Sequence, residues 1–473
     1  MMEIPCGMQE QFLEAKQLIE SSNDIKIYTH TDCDGICSGA ILSIILDRLN
    51  KDYEIEFVNL DEIEDLDLDH KLTIFSDLGS GQGVDKNAKD GQKILILDHH
   101  PPLRDINYKN DKAYTYLEIN PMFYGIDGSY YVCGGGLCYF LAKTFGFKDL
   151  SWIGVLSAIG DMQNNKTGHF EGLNEIIQKD AINEGLLKVT KNDLNIYGRS
   201  TRPLYVALSY FSDVKLPITN NQQEAKVVLE ELGVDEKHNR KTLSEVTEED
   251  KMEIKKFLSR MISKRVPPKY LKYVPKLIVG DAYTFLNEEE GSFLRDGSEF
   301  STAMNACGRN RKEAIGVDII KGDRLVALDA LEEVSKTHKY NLATSISKVA
   351  DNYHSEIIEL DNFQYFDCSD FDEDIASNII GTITGMVLGY CNWKKPILGF
   401  SKPKNNQIKV SLRCSKLLAY DGIHFGNMMR EIAKEVGGTG GGHAIACGAY
   451  IPNEKKSEFL DKFNRKLQGK IAN

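Results

Sequence analysis

The fold this sequence predicts is a doubly wound, mostly parallel α/β sheet, followed by a helical segment and a smaller α/β domain. Two observations carry that prediction. From residue 12 to about 165, short apolar runs alternate with helical periodicity, the pattern of strands joined by crossover helices. Those apolar runs also end in acids: Asp32 and Asp34 after Ile25–Tyr28, Asp77 after Leu72–Phe75, Asp98 after Ile94–Leu97, and Asp161 after Ile153–Ile159. Ligands of an open parallel sheet bind outside the carboxyl ends of its strands, so the pattern predicts a fold and a site together.

In order, Phe12–Ser21 reads as a helix, Ile25–Thr29 as a strand and Gly39–Leu49 as an amphipathic helix. Strands are expected at Glu54–Asn59, Leu72–Phe75 and Ile94–Leu97, then helices near Gly136–Phe145 and Trp152–Ala158. From about 185 to 295 the charged run Glu245–Arg265 and the Pro267-Pro268 break point to a largely helical segment. An α/β pattern then returns. Strand-like Ala314–Ile320 leads into helix Lys321–Val334, and the uncharged stretch Ile375–Trp393 reads as a buried helix. A hairpin of Ile397–Ser401 with Gln407–Leu412 and a terminal helix Lys455–Lys466 complete the chain. The expected domains are 1–190, 191–295 and 296–473.

At 473 residues the chain is too long for one ordinary core, and its 42% hydrophobic and 27% charged residues are those of a globular protein. The ten cysteines show no repeated CxxC or zinc spacing, so reduced thiols in a cytoplasmic protein are expected. Met1–Gln11 lacks a basic start followed by an apolar stretch, and Ile375–Trp393 is interrupted by Ser, Asn, Thr and Gly, so no membrane span is expected. A net charge of −13 argues against a surface coated for duplex DNA. Local basic excesses exist nonetheless: Lys251–Lys276 holds nine Lys or Arg against one Glu, and Lys394–Lys416 holds seven with no acid.

Asp32 and Asp34 lie two residues apart at a strand end, where extended geometry puts both on one face. Gly35 permits the turn into a helix from Ile36. Asp77 adds a carboxylate after the next strand, and Asp161 another. In Asp98-His99-His100 only alternate side chains can face one metal. His99 is therefore the expected ligand, His100 the substrate-side group and Asp98 their support. Carboxylates suit Mg²⁺ or Mn²⁺, and imidazole tips the preference toward Mn²⁺ or Zn²⁺. Asp32, Asp34, Asp77, His99 and Asp161 together can hold two divalent ions, a pair that activates water and stabilises the leaving oxygen in phosphoryl transfer. Near the C-terminus, Gly437–Gly442 leaves no room for side chains, so its amides can approach a phosphate or nucleobase. With His443 and the strand residue Arg413 it forms an anion pocket.

These motifs resemble the DHH phosphoesterase superfamily in its DHHA1-containing branch. The likeness is carried by Asp32-Cys33-Asp34-Gly35 with Ser38, Asp77, Asp98-His99-His100, Asp161 and Gly440-Gly441-Gly442-His443. Other segments are similar to archaeal RecJ-like nucleases: Gly160-Asp161-Met162-Gln163, Tyr197-Gly198-Arg199, Thr201–Leu204, Glu299–Thr302 and Asn305–Arg309. The resemblance implies a DHH domain holding two Mn²⁺ (or Mg²⁺) ions on Asp32, Asp34, Asp77, His99 and Asp161, with Asp77 bridging and His100 near the scissile phosphate. It also implies a DHHA1 domain in which Arg413, Gly441, Gly442 and His443 grip a phosphate of the terminal nucleotide. A His recurs in the first motif of the family at varying spacing, so whether His30 joins the ligands stays open here.

The helical segment resembles the insertion of archaeal RecJ-like proteins and of a eukaryotic relative in the replicative helicase that has lost catalysis. Every ligand position is filled in this chain, so an active enzyme is expected. The implied activity is exonucleolytic hydrolysis of single-stranded DNA, RNA or both, in replication or repair. Two other readings stand beside it: a phosphodiesterase of short oligonucleotides or cyclic dinucleotides, and a scaffold associated with GINS or a fork-remodelling helicase-nuclease.

Overall fold

The computed structural model describes residues 2–471 apart from 61, 64, 65, 67, 110–112, 235–240, 351–355 and 369–372. The chain divides into two compact units, Met1–Asn192 with Gly280–Ser335, and Asp193–Val279 with Lys336–Asn473. The expected third domain began at 296, but residues 280–335 cluster with the N-terminal unit.

In the first unit, α1 (Cys6–Glu20) precedes a parallel sheet of β1 (Ile25–His30), β2 (Tyr53–Val58), β3 (Leu72–Ser76), β4 (Lys93–Leu97) and β5 (Thr115–Ile119). The strand order 2-1-3-4-5 is a doubly wound one, with its switch point between β1 and β3. β3 is buried along its whole length and β4 along nearly all of it, which is why both read as continuous apolar runs. The edge strand β5 escaped the sequence reading because Thr115–Ile119 is short and has only two aliphatic residues, Leu117 and Ile119.

One sheet face packs Ile27, Ile74 and Leu95 against α1, α2 (Cys33–Arg48), α3 (Gly134–Thr144) and α4 (Ser151–Gly160). The other face, with Tyr28, Phe75 and Ile96, is covered by Ile63, Leu68, Leu78, Val84 and Ala88 from the segments flanking β3. The run Ile153–Ile159 is thus part of helix α4, and Asp161 leaves a helix rather than a strand. Register aligns Thr29, Ser76 and Leu97 across neighbouring strands, so the residues just beyond these three emerge at one edge.

After α5 (Asn174–Asn183) and β6 (Leu187–Leu194) come α6 (Leu204–Ser209), α7 (Gln222–Glu231), α8 (Glu248–Ser263) and α9 (Val274–Ile278), the expected helical segment. Its core, including Leu204, Leu208, Leu229 and Leu258, also takes in Trp393 and Leu417 from later in the chain. β7 (Val279–Phe285) pairs with β6 and returns the chain to the first unit, where α10 (Gly297–Arg309) and α11 (Glu313–Lys321) join the core through Phe300, Met304 and Val317. The expected strand Ala314–Ile320 is therefore helix α11. A short apolar run fits either period, and here Gly322, at φ 106°, supplies the left-handed helix stop.

α12 (Val326–Ala350) leads into the second unit. There β8 (Ile358–Glu359), β9 (Gln364–Asp367), α13 (Glu373–Val387), β10 (Ile397–Phe400) and β11 (Gln407–Arg413) are followed by α14 (Lys416–Tyr420), α15 (Phe425–Glu435), β12 (Thr439–Gly442), β13 (Ala446–Pro452) and α16 (Lys456–Leu467). The six strands run in the order β12-β13-β11-β10-β9-β8, and β10 and β11 form the expected antiparallel hairpin. The glycine run is an edge strand paired to β13, not a free loop. Among the described residues no helix is long and apolar enough to cross a membrane.

Candidate metal centre

β1 ends at His30 and α2 begins at Cys33, so Asp32 and Asp34 do not alternate along an extended strand. Asp32 is the N-cap of α2, its Oδ1 accepting the Gly35 amide at 3.1 Å. The cap uses one oxygen, and Oδ2 faces His30 Nδ1 at 3.1 Å. Asp34 lies in the first helical turn and is buried. Its carboxylate accepts the amides of Gly134 at 2.9 Å and Gly135 at 2.7 Å and the hydroxyl of Ser157. Those amides open α3, where the helix dipole favours an anion. The approach is close enough that a Cβ at Gly134 would lie 2.6 Å from Asp77 Cβ, and one at Gly135 2.2 Å from Ser157 Oγ.

Asp77 takes a left-handed φ of 58°, uncommon for any residue but glycine, while its amide donates to Leu97 O at 2.9 Å. Its buried Oδ1 and Oδ2 accept no hydrogen bond. The nearest imidazole nitrogens are His99 Nε2 at 3.3 Å and His30 Nδ1 at 3.5 Å, close contacts without hydrogen-bond geometry. His99 sets its Nδ1 2.7 Å from Gly128 O, which makes Nδ1 the proton-bearing nitrogen and turns Nε2 inward. Nε2, likewise unbonded, stands 3.3, 3.6 and 3.9 Å from Asp77, Asp34 and Asp161. Gln163 ties this arrangement together. Its amide nitrogen lies 2.8 Å from both Gly128 O and Asp161 Oδ2, and its oxygen accepts from Asn174.

Asp98 is spent on hydrogen bonds to its neighbours. Oδ1 accepts the amides of His99 and His100 and meets His100 Nδ1 at 2.8 Å, while Oδ2 accepts the Ser80 amide at 2.9 Å. The His100 ring is 46% exposed, so it points toward solvent.

The electrostatics describe a site short of positive charge. Burial, then the charges of Asp34 and Asp32, push the Asp77 carboxyl well above the ordinary range. Burial and Asp161 raise Asp34 as well. For His99, burial opposes the charged form, yet Asp161, Asp77 and Asp34 outweigh it and hold the imidazole well above its usual value. Burial works against Asp98 too, but the charge of His100 and its hydrogen bond keep that carboxyl low.

Among the described residues the donors form three overlapping groups, His30–Asp32–Asp77, Asp34–His99–Asp161 and Asp77–Asp98–His99–His100, in each of which the ligand atoms lie within 4.8 Å of one another. Asp77 belongs to the first and third and touches His99 of the second. Three buried, unbonded donor atoms, both Asp77 oxygens and His99 Nε2, fit divalent cations between these groups. His30, left open by the sequence, stands with Asp32 and Asp77. Missed were Gly128, the Gly134 and Gly135 amides and Ser157, which act through groups distant in the chain. Asn305 was noted only as part of a family match. Its Oδ1 accepts the Cys33 amide at 3.0 Å, and α10 lies so close that a Cβ at Gly308 would fall 1.7 Å from Thr31 O.

The four residues expected to grip phosphate lie in the second unit, at one end of its sheet. Arg413 on β11 faces Ala446 on β13, Gly441 and Gly442 pair with Gly448 and Cys447, and the His443 amide donates to Ala446 O at 2.9 Å. Arg413 runs beneath the glycine face of α13, where a Cβ at Gly381 would meet its Nη2 at 2.9 Å. Arg430 of α15, which the sequence reading did not single out, brings its guanidinium to 3.2 Å from where a Gly441 Cβ would stand.

Residues 24–155 match the DHH family, N-terminal domain, residues 196–274 the DHH-CID domain, and residues 361–469 the DHHA1 domain. The uncharacterized protein MJ0831 of Methanocaldococcus jannaschii is 31% identical over 446 residues, 93% of this chain and 92% of that protein. Solved structures share the fold, two of them as follows. CDC45 from Entamoeba histolytica superposes with a TM-score of 0.62 at 15% identity, covering 98% of this chain and 99% of that one. RecJ from Thermus thermophilus in complex with Mn²⁺ gives a TM-score of 0.54 at 12% identity, covering 99% of this chain and 55% of that one.

Proposed function

This chain belongs to the DHH–DHHA1, RecJ-like superfamily of phosphoesterases, and from that premise we propose that it is a two-metal exonuclease hydrolysing phosphodiester bonds of single-stranded DNA, RNA or both. The observation that carries the reading is Asp77, a buried carboxylate in left-handed backbone with both oxygens unbonded, standing among overlapping groups of metal-type donors. Asp32, Asp34, Asp77, His99 and Asp161, with His30 beside them, would hold two divalent cations, and the imidazoles favour Mn²⁺ over Mg²⁺. Bound there, the ions would supply an activated water and offset the charge that builds on the phosphate.

The chain's own residues do the rest. The Gly128 carbonyl keeps the His99 Nε2 lone pair directed inward, and the α3 amides hold Asp34 in place. Asp98 fixes the half-exposed His100 through Nδ1, leaving its other nitrogen for the scissile phosphate. Arg413, Gly441, Gly442 and His443 would grip a phosphate of the terminal nucleotide.

Digestion of 5′- and 3′-end-labelled DNA and RNA strands with Mn²⁺ tests the proposal. Stepwise ladders from one end support it, and intact strands at every metal concentration refute it. Rates on a dinucleotide against a long strand separate it from a phosphodiesterase of short oligonucleotides. The likeness to CDC45 along both chains favours one further reading, a component of a replication or repair assembly partnered by GINS or a fork-remodelling helicase. Normal growth of a catalytically dead strain, set against failure of a deletion strain, would favour that role.

A further inference from the structure

The sheet of the second unit buries one face under α15 and α16. On β11 and β13, Ile408, Val410, Leu412, Cys447, Ala449 and Ile451 all belong to that core. The residues between them, Lys409, Ser411 and Arg413 on β11 and Ala446, Gly448 and Tyr450 on β13, therefore share the opposite face. Pairing sets these residues in rows. Arg413 faces Ala446; Ser411 faces Gly448, which pairs with Gly441; Lys409 faces Tyr450, which pairs with Thr439.

Successive rows lie roughly 7 Å apart, about the reach of one extended nucleotide. In the middle row Ser411 is buried beneath α13, so the open part of that row is the half-buried Gly448 and Gly441 backbone, edged by Arg430 and carrying no side chain of its own between the Arg413 row and Tyr450. The Tyr450 ring and Lys409 are both half-buried, with the ammonium 5.5 Å from the ring centroid. Neither Lys394–Lys416 nor Val436–Pro452 contains an acid, in a chain whose net charge is −13.

We propose that Tyr450 and Lys409 form a second nucleotide subsite, one row beyond the glycine strand. The base next to the gripped terminal nucleotide stacks on Tyr450, and Lys409 meets the phosphate that comes after it. An aromatic platform beside a cation, on strands that carry no acid, suits a polyanion with unpaired bases and reads no sequence. The occupant is thus a single-stranded polynucleotide; a duplex offers no free base face to stack. The subsite rests on the reading of this unit as the strand-gripping one.

The test is binding of a fluorescein-labelled eight-nucleotide oligothymidylate to the full chain, measured by anisotropy in EDTA so that nothing is cleaved. Tyr450→Ala is expected to weaken binding roughly tenfold, the size of one base–aromatic stack. Tyr450→Phe, which keeps the ring, should bind like the parent, and Lys409→Gln should reduce the slope of log affinity against log salt by about one contact's worth. Thymidine 3′,5′-bisphosphate, too short to reach the platform, should compete equally in the parent and in Tyr450→Ala. Unchanged octanucleotide affinity in Tyr450→Ala overturns the subsite and leaves the phosphate grip standing. Equal loss in Tyr450→Phe overturns the stacking role, and a parent that binds no oligonucleotide overturns both the subsite and the reading beneath it.

Discussion

In the first unit Asp32, Asp34, Asp77, Asp98 and Asp161 crowd one sheet edge, four of them held by hydrogen bonds to amides or a hydroxyl and Asp77 left with neither oxygen bonded. In the second unit the residues expected to hold phosphate are two glycines, an arginine laid under a helix and a histidine in a turn. The contrast matches the ligand proposed for each. A divalent cation needs anionic donors placed before it arrives, so the protein accepts like-charge repulsion and an unusual backbone at Asp77. A polyanionic strand arrives with its own charge and bulk, so its surface is made by leaving side chains out. One site stores strain; the other stores space.

The sharpest way to break this contrast is to remove the repelling group. Asp77→Ala should lower Mn²⁺-dependent nucleotide release by about a thousandfold or more, since a shared metal ligand is worth several kcal/mol. The same variant should melt in EDTA no lower than the parent, because it loses an unpaired buried carboxylate. A variant that keeps its activity would show that Asp77 does not ligate. Next in size, Gln163→Leu cuts the tie between Gly128 O and Asp161 and should weaken Mn²⁺ binding on the order of 10–100-fold by titration calorimetry. Parent-like affinity would mean that Gln163 serves only packing.

On the other side of the contrast, Arg413→Ala should raise the KM for a long strand by roughly tenfold, the loss of a charge-assisted hydrogen bond, with kcat little changed. A fall confined to kcat would move Arg413 into the chemistry. The smallest effect is thermal. Asp34, Asp77 and His99 all have raised values in the folded chain, so the folded state binds protons that the unfolded chain has released. Stability in EDTA should therefore fall as pH rises, by the carboxylates from the ordinary Asp range upward and by His99 above the usual imidazole range. Saturating Mn²⁺ should flatten that slope in a melting series from about pH 6 to pH 8.5, where the ordinary imidazole value is passed. An EDTA slope that is flat or rising would contradict the stored repulsion.

How much of this could be read in the sequence depends on where each partner sits in the chain. Asp98-His99-His100 suggested a division of labour because the expected support, ligand and substrate-side group are consecutive. The ends of β1, β3 and β4 were legible because parallel register puts them at one edge. Asp32 and Asp34 were identified through the wrong geometry, since the helix starts three residues earlier than the Ile36 expected. The residues that orient the ligands were silent. Gly128, Gly134 and Gly135 act through backbone groups, which carry no side-chain signal, and Asn305 reaches Cys33 from 272 residues away. The strand read at Ala314–Ile320 failed for a different reason: a short run of mixed apolar pattern suits both periods, and packing against α2 decided for the helix.

The start of α3 has a consequence for ion choice. Asp34 is gauged by two main-chain amides, and Gly134 and Gly135 leave less than a methyl group of slack against Asp77 and Ser157. A carboxylate held by two main-chain amides has little freedom to swing aside. Ca²⁺, with bonds of about 2.3–2.6 Å against about 2.0–2.1 Å for Mg²⁺, would fit less well beside it. Size preference would then be set in part by the main chain, and an equimolar Ca²⁺ challenge should leave Mn²⁺-dependent hydrolysis largely intact; strong inhibition would show that the carboxylate yields.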